Sequence, residues 1–229
     1  SQVVTMRRFT TMRPSRFPKM RRFTTSPTSS TTLVNACSIG NVEVALRRGR
    51  RPPSGAVATL PPSLFPIVEW LAQKDALHQD AVLLTPPGER SRARHAVAAF
   101  AELVRADIYY VGISADTSES ELRQRRELSP GRGAYWVDAP PVKAALEGGL
   151  LLLDGLDRAE RNVLPTLNNL LENREMTLDD GRLLLPARRM LGENNVEEEE
   201  DAEKKKKKKS VVEAVPPTFR VVAVAAPSP

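Results

Sequence analysis

The stretch AYWVDAPPVKAALEGGLLLLDGLDRAERNVLPTLNNLLENREMTL, residues 134–178, decides the fold. Within it, four consecutive leucines end at Asp154, which predicts a short strand buried on both faces. The apolar spacing before this strand predicts a short helix over residues 141–147, ended by two glycines. The spacing after it predicts a longer helix over residues 163–171. A buried strand between two helices indicates an α/β domain.

The flanking sequence repeats this alternation. Apolar runs predict further strands at residues 81–84, 108–111 and 219–224, and helical spacing predicts helices around residues 64–71 and 93–104. Strands that alternate with helices of this length predict a parallel sheet covered by helices on both faces.

Two other segments have their own patterns. The charged residues 118–127 predict a helix, and residues 175–185 predict a hairpin because Asp180-Gly181 is a favoured tight turn.

Ligands of open parallel sheets bind beyond the carboxyl ends of the strands. That rule places residues 85–92, 154–157 and 226–229 on one rim. The first of these segments lies between a strand and a helix, which is the position of a phosphate-binding loop. In the pattern G-x-x-x-x-G-K-[ST], however, the lysine position is Ser91 and the hydroxyl position is Arg92. The candidate nucleotide-binding residues are Thr85, Pro86, Pro87, Gly88, Glu89, Arg90, Ser91 and Arg92.

Asp154 at the end of its strand suits a Walker B aspartate, which reaches Mg²⁺ through water, so it is the candidate metal ligand. At the next position, where such a motif carries its catalytic glutamate, this chain has Gly155. Asp157, two residues further on, is the remaining candidate for a catalytic carboxylate. An aspartate that caps a helix in an ordinary α/β core is the alternative interpretation of Asp154.

Taken as a whole, residues 134–178 resemble the midasin/dynein-related AAA+ ATPase family. That family has an aromatic strand, a helix of pattern G-P-L/V-x-x-A-L-x-x-G, a strand LLLDEI-N-x-A, a helix ending L-N-x-L-L-E, and R-E-L-T-L. The matching residues are Trp136, Pro141, Val142, Ala145, Leu146, Gly148, Asp154, Ala159, Leu167, Asn168, Leu171, Glu172, Arg174 and Glu175. Residues 219–223 match the fourth-strand pattern F-R-x-x-A.

This resemblance covers residues 60–185 and 218–229. It implies a P-loop NTPase-like AAA+ core with ATP and Mg²⁺ as cofactors and other AAA+ modules of a ring or large assembly as partners. The chain departs from the family at the loop lysine, the Walker B glutamate and the sensor asparagine, whose position is Ala226. We also expect the core to lack its last strand, its helical lid and its arginine finger. An arginine finger alone raises the rate of hydrolysis by about 10³–10⁵-fold.

Charge divides the chain. Residues 1–59 hold eleven Lys or Arg and one acidic residue, Glu43, so the remaining residues carry a net −4 of the total +6. The folded part is therefore not expected to bind nucleic acid. An Arg- and Ser-rich segment without acidic residues over positions 1–42 is typical of an organellar transit peptide, which predicts a disordered mitochondrial targeting segment over residues 1–59 and a matrix location. A basic arm that binds RNA or anionic lipid is the alternative. The Glu and Lys runs predict a disordered insertion over residues 186–217.

Other chemistries are disfavoured. One cysteine, Cys37, excludes an intrachain disulfide, and the isolated His78 and His95 do not form a zinc motif. No apolar run approaches the ~20 residues of a membrane span. The sequence thus favours an AAA+ module that is degenerate and hydrolysis-deficient by itself. The alternatives are an active ATPase completed by neighbouring modules and a basic arm on an inert α/β fold.

Overall fold

The computed structural model describes residues 3–5, 36–86, 88–131, 133–160, 164–190 and 211–227. Its strands are β1 (Val3–Thr5), β2 (Ala36–Ile39), β3 (Val42–Ala45), β4 (Ala81–Leu84), β5 (Ile108–Gly112), β6 (Gln124–Ser129), β7 (Gly133–Asp138), β8 (Leu150–Asp154), β9 (Met176–Thr177), β10 (Leu183–Pro186), β11 (Val212–Val215) and β12 (Arg220–Ala225). Its helices are α1 (Phe65–Ala76), α2 (Arg90–Val104), α3 (Glu119–Leu122), α4 (Pro140–Glu147), α5 (Leu164–Glu172) and α6 (Ala187–Met190). Most of the predicted targeting segment and the Glu and Lys runs lie outside the described residues.

The chain divides into two compact units. The first unit contains residues 1–113, 149–157 and 220–229, and the second contains residues 114–148 and 158–219. No helix in the described part of the chain is both long enough and apolar enough to cross a membrane.

A five-stranded parallel sheet of order β1-β4-β12-β8-β5 forms the first unit. Every residue of β8 and β12 is buried, as expected for central strands covered on both faces. The parallel α/β sheet predicted from the alternation of strands and helices is therefore confirmed.

The core of the first unit lies between this sheet and α1 and α2. Leu71 and Val68 of α1 and Phe100 and Val97 of α2 pack with the inward residues of the central strands, such as Leu152. The apolar residues of α2 recur at helical spacing, so one face is buried while the opposite face carries charge. This packing fixes the first turn of α2 at the carboxyl ends of the strands.

The second unit consists of hairpins and short helices. Strands β6 and β7 form an antiparallel hairpin, and β10 pairs antiparallel with β9 and parallel with β11. The predicted turn at Asp180-Gly181 is confirmed: Gly181 has a φ of +92°, and the Leu178 amide donates to the Arg182 carbonyl over 2.8 Å.

Order begins earlier than predicted. The assignment of residues 1–59 to a disordered segment is wrong for residues 36–59, because β2 and β3 form a hairpin whose Ile39 and Val44 are buried in the core. The Asn41 amide also donates to Glu69 of α1 over 3.1 Å. Residues 3–5 pair in parallel with β4.

Two other predicted segments differ in the structure. Residues 118–127 are not one helix, because the chain leaves α3 after the buried Leu122 and enters β6. There Gln124 donates to Asp138 and Asp180 over 2.6 and 2.9 Å, which holds the strand in place. The predicted insertion over residues 186–217 is wrong at its ends, where α6 and β11 are ordered and Val215 is buried.

Candidate functional site

Three segments meet at the carboxyl ends of β4, β8 and β12, as the sequence predicted. The Thr85 amide donates to the Ala225 carbonyl over 2.9 Å, and the Gly155 amide donates to the Val224 carbonyl over 2.8 Å. Asp157 then accepts a hydrogen bond from the Ala226 amide over 3.0 Å. The loop after β4, the Walker B-type segment and the end of β12 therefore form one rim, to which we refer as the rim site.

The loop after β4 is only partly open to a ligand. Thr85, at the first glycine position of the phosphate-loop pattern, is fully buried, and its hydroxyl donates to the Ala225 carbonyl over 3.4 Å. Gly88 is exposed with a φ of +85°, and a Cβ placed there meets no atom within 4 Å. Pro87 lies outside the described residues. Within the part described, Gly88 marks the accessible section of the loop.

The arginines that begin α2 are bound by acidic side chains. Nη2 of Arg90 lies 2.7 and 2.6 Å from the two carboxylate oxygens of Asp157. Arg92 donates to Glu89 over 3.0 Å and to the hydroxyl of Ser63 over 3.2 Å. Ser91, at the lysine position of the pattern, is exposed. The positive charge of this loop is thus neutralised by the chain itself.

Asp154 lies at the centre of the rim site with only 6% of its side chain exposed. Its Oδ2 accepts hydrogen bonds from Nη1 of Arg94 over 2.8 Å and from the hydroxyl of Tyr110 over 3.1 Å. Its buried Oδ1 has no hydrogen-bond partner and lies 4.0 Å from Nη1 of Arg90. The carboxylate is where the sequence placed it, but two guanidinium groups surround it.

Sequence reasoning missed Arg94 and Tyr110. Hydrogen bonds with Tyr110 and with Asp154 raise the pKa of Arg94 above its ordinary value. The four-residue spacing of Arg90 and Arg94 on a predicted helix was a usable indication, because residues four apart lie on the same face. Tyr110 is two residues before the end of β5, beside Leu152 of β8. Its contact with Asp154 depends on the strand register, which one sequence does not reveal.

Gly155 occupies the position where a Walker B glutamate would stand, and its backbone does not suit one. Its φ is +93°, in the region that favours glycine. A Cβ placed there would lie 2.7 Å from the Ile113 carbonyl oxygen and 3.0 Å from Nη1 of Arg90. A glutamate at position 155 would therefore require the backbone to move.

Asp157, the candidate catalytic carboxylate, is a poor general base. Burial by itself would raise the pKa of Asp157, but hydrogen bonds from backbone amides, first that of Ala226, and the charge of Arg90 outweigh it and hold the pKa below its usual value. General bases work best with a pKa near the operating pH. A carboxylate that is held by Arg90 and has a lowered pKa does not meet that requirement.

The residues present do not fit the Mg²⁺ that the family resemblance implied. The carboxylates of the rim site are already engaged by the chain, Asp154 by Arg94 and Tyr110 and Asp157 by Arg90. Two unit charges 4 Å apart interact by about 4 kcal/mol at an effective dielectric constant of 20. A divalent cation at Oδ1 of Asp154 would be repelled by the nearby Arg90, which offsets part of the attraction of the carboxylate.

The family of the chain is established by sequence comparison. The model of the AAA domain (dynein-related subfamily) matches residues 93–229, more than half of the chain. The chain belongs to this family. The matched segment of this AAA+ module begins directly after the loop at residues 85–92, and it includes Asp154, Gly155 and Asp157.

Individual relatives agree with this assignment. Von Willebrand factor A domain-containing protein 8 of Mus musculus is 45% identical over 156 residues, which are 66% of this chain and 8% of that protein. Midasin of Giardia intestinalis is 37% identical over 78 residues, 34% of this chain and 2% of that protein. The chain thus spans less than a tenth of the length of these curated relatives.

A solved structure supports the fold. A suspected ATPase from Cytophaga hutchinsonii superposes with a TM-score of 0.51 at 13% identity, over 76% of this chain and 42% of that one. At this identity the likeness shows the fold alone. The family resemblance and the AAA+ P-loop NTPase-like fold predicted from the sequence are both confirmed.

Proposed function

We infer that this AAA+ module binds adenine nucleotide weakly at the rim site and does not hydrolyse ATP by itself. The environment of Asp154 is the observation that carries this proposal. Its carboxylate is hydrogen-bonded to Arg94 and Tyr110, it faces Arg90, and it is followed by a glycine that leaves no space for a glutamate.

The chemistry of phosphoryl transfer explains why these features matter. Catalysis in this class depends on positioning and on fixed charges around the β- and γ-phosphates. Here Ser91 stands at the position of the loop lysine. The arginines of the first helical turn are also engaged, Arg90 by Asp157 and Arg92 by Glu89. The loop lysine and the Walker B glutamate are therefore replaced by Ser91 and Gly155, and the arginines of the first turn are bound by acidic side chains.

Binding of a fluorescent ATP analogue to the chain tests the nucleotide site. Gly88→Glu places a negative charge in the accessible part of the loop, and we expect it to weaken binding by about tenfold or more, equivalent to 1.4 kcal/mol. Gly131→Glu is the matched control, because Gly131 also has a positive φ, +86°, and open space around it, but lies in the turn between β6 and β7.

The control is expected to bind the analogue as the unmodified chain does. Equal binding by both variants would contradict a nucleotide site at this loop. If the folded chain binds no analogue, the module is a scaffold, and its function depends on partner modules.

An active ATPase completed by neighbouring modules is the second candidate. The chain spans 8% of its 45% identical relative, so a protein of that length has room for further modules that supply missing groups. This alternative predicts hydrolysis only in a longer protein, and loss of that hydrolysis on Asp154→Ala. In either case we place the module among other AAA+ modules of a ring or large assembly.

We also propose a mitochondrial, matrix location, supported by the arginine-rich and acid-poor residues 1–42. Import of a fluorescent protein fused after residues 1–35 tests it, since β2 begins at residue 36. Diffuse cytosolic fluorescence would count against it. The competing basic-arm function predicts binding to RNA or anionic vesicles that disappears when residues 1–35 are removed.

A further inference from the structure

Two arginines on the same side of α2 contact the carboxylates of the rim site. Arg90 and Arg94 are four residues apart, so both side chains leave the helix in the same direction. Arg94 binds Oδ2 of Asp154 over 2.8 Å, and Arg90 lies 4.0 Å from Oδ1 of the same carboxylate. Arg90 also donates to Asp157 through Nη2.

These contacts use three of the four carboxylate oxygens that a metal ion could take, and the fourth, Oδ1 of Asp154, accepts no hydrogen bond but lies 4.0 Å from Arg90. Mg²⁺ is usually held in proteins by one or two carboxylates together with waters and substrate phosphates. Here Oδ2 of Asp154 already accepts two hydrogen bonds, and both oxygens of Asp157 lie within hydrogen-bond distance of Arg90. The positive charge near these carboxylates is covalently part of the chain, so it does not exchange with ions in solution.

We propose that Arg90 and Arg94 take the place of the divalent cation in this module, so that the rim site works without Mg²⁺. The consequence for nucleotide rests on the proposed function. The side chain of Arg94 is 44% exposed, and its guanidinium is available to a phosphate group as the charge that Mg²⁺ would otherwise supply. Nucleotide then binds as the metal-free anion.

Manganese binding followed by electron paramagnetic resonance tests the replacement directly, without nucleotide. The unmodified chain is expected to show no Mn²⁺ binding that is lost on Asp154→Asn. The double variant Arg90→Gln/Arg94→Gln releases two carboxylates and is expected to immobilise Mn²⁺, and adding Asp154→Asn to it should abolish that binding. Arg92→Gln is the matched control, because Arg92 lies in the first turn of the same helix but contacts Glu89 and Ser63. This variant should gain no Mn²⁺ binding.

Two results would overturn the proposal. One is Mn²⁺ binding by the unmodified chain that is lost on Asp154→Asn. The other is a folded double variant, checked by circular dichroism, that gains no Mn²⁺ binding. If the double variant does not fold, the comparison of the unmodified chain with Asp154→Asn decides alone.

A nucleotide titration separates this proposal from the proposed function. Equal affinity for the fluorescent ATP analogue in Mg²⁺ and in EDTA supports both. Binding that needs Mg²⁺ supports the nucleotide site and contradicts the replacement of the metal. No binding in either buffer contradicts the proposed function, and the Mn²⁺ experiment then decides the role of the arginines.

Discussion

The carboxylate of Asp154 is held by groups from two different elements, Arg94 of α2 and Tyr110 of β5. Because it is buried, losing its charge leaves Arg94 and Arg90 close together without their shared counter-ion. In a domain with the usual stability of about 5–15 kcal/mol, one such contact is a measurable fraction of the total. The rim site therefore contributes to folding as well as to any ligand chemistry.

Asp154→Asn is expected to lower the free energy of unfolding by about 1–3 kcal/mol. Removing one partner of a buried ion pair can cost more, but the partial exposure of Arg94 lets water solvate its charge. Urea denaturation measures the change. Asp116→Asn, at an exposed position, is the control and should stay within about 0.5 kcal/mol of the unmodified chain. Equal stability of both variants would contradict a structural role for Asp154.

Gly155→Ala is expected to destabilise the chain more than Gly181→Ala. The two glycines have nearly the same φ, +93° and +92°, so the backbone strain of about 1–3 kcal/mol is shared. Only at position 155 does the new Cβ meet a carbonyl oxygen, that of Ile113 at 2.7 Å. Thermal denaturation of the two variants compares them. Equal losses of stability would mean that the loop around Ile113 moves freely.

Acid stability depends on Asp157. Its folded-state pKa is below the usual value, so its stabilising contribution is present above the unfolded-state pKa and is lost as the pH falls through the folded-state pKa. Between about pH 5 and pH 3, the unmodified chain should therefore lose more stability than Asp157→Asn. Urea denaturation at several pH values measures both slopes. Parallel slopes would show that the contacts with Arg90 and Ala226 do not favour the ionised form.

At the residue scale, the sequence predicted where the site lies but not which side chains contact Asp154. Strand ends in a parallel sheet share one edge, so Asp154, Asp157 and Ala226 could be placed together from the pattern of strands alone. The partners of Asp154 depend on side-chain directions and strand register, which the pattern does not contain. Thr85, predicted to bind nucleotide, is buried against β12, and its role in binding stays a prediction.

At the scale of elements, α2 connects the core to the rim site. Its Phe100 is 2% exposed and packs with α1 and the central strands, while its first two turns present Arg90 and Arg94 to the carboxylates. The same helix thus supplies both core residues and the two arginines of the rim site.

Phe100→Ala is expected to cost about 3–5 kcal/mol, from lost apolar burial and the remaining cavity. Leu77→Ala, at a residue that is 63% exposed, is the control and should cost less than about 0.5 kcal/mol. Urea denaturation measures both. A small effect of Phe100→Ala would mean that the core collapses around the missing ring or that α2 packs loosely.

Elements with a strong local pattern were predicted, and elements that depend on distant pairing were not. The apolar runs of β4, β5, β8 and β12 and the periodic faces of α1 and α2 need no partner to be recognised. By contrast, β6 begins in a charged sequence, and β11 follows a lysine run, so their pairing with β7 and β10 is set by tertiary structure. The β2–β3 hairpin did have a local indication, the two-residue turn Gly40-Asn41.

At the scale of the whole molecule, charge and fold are distributed differently along the chain. Residues 1–59 carry a net charge of +10, whereas the rest of the chain, which supplies four of the five strands of the parallel sheet, carries −4. The rim site contains nearly balanced acidic and basic groups. The family membership establishes an AAA+ module, whereas activity depends on individual residues of the rim. Membership of an ATPase family therefore leaves the activity of this chain open to its own residues, and we propose that they favour binding over hydrolysis.

Phosphate release from ATP and Mg²⁺ by the purified chain tests the central claim most directly. Asp154→Asn, measured beside it, separates hydrolysis at the rim site from contamination. We expect release indistinguishable from a protein-free sample for both proteins, because Gly155 stands at the position of the water-orienting glutamate and because, as proposed, Arg90 and Arg94 take the place of the metal. Release above background that falls in Asp154→Asn would contradict this account and establish an active ATPase at the rim.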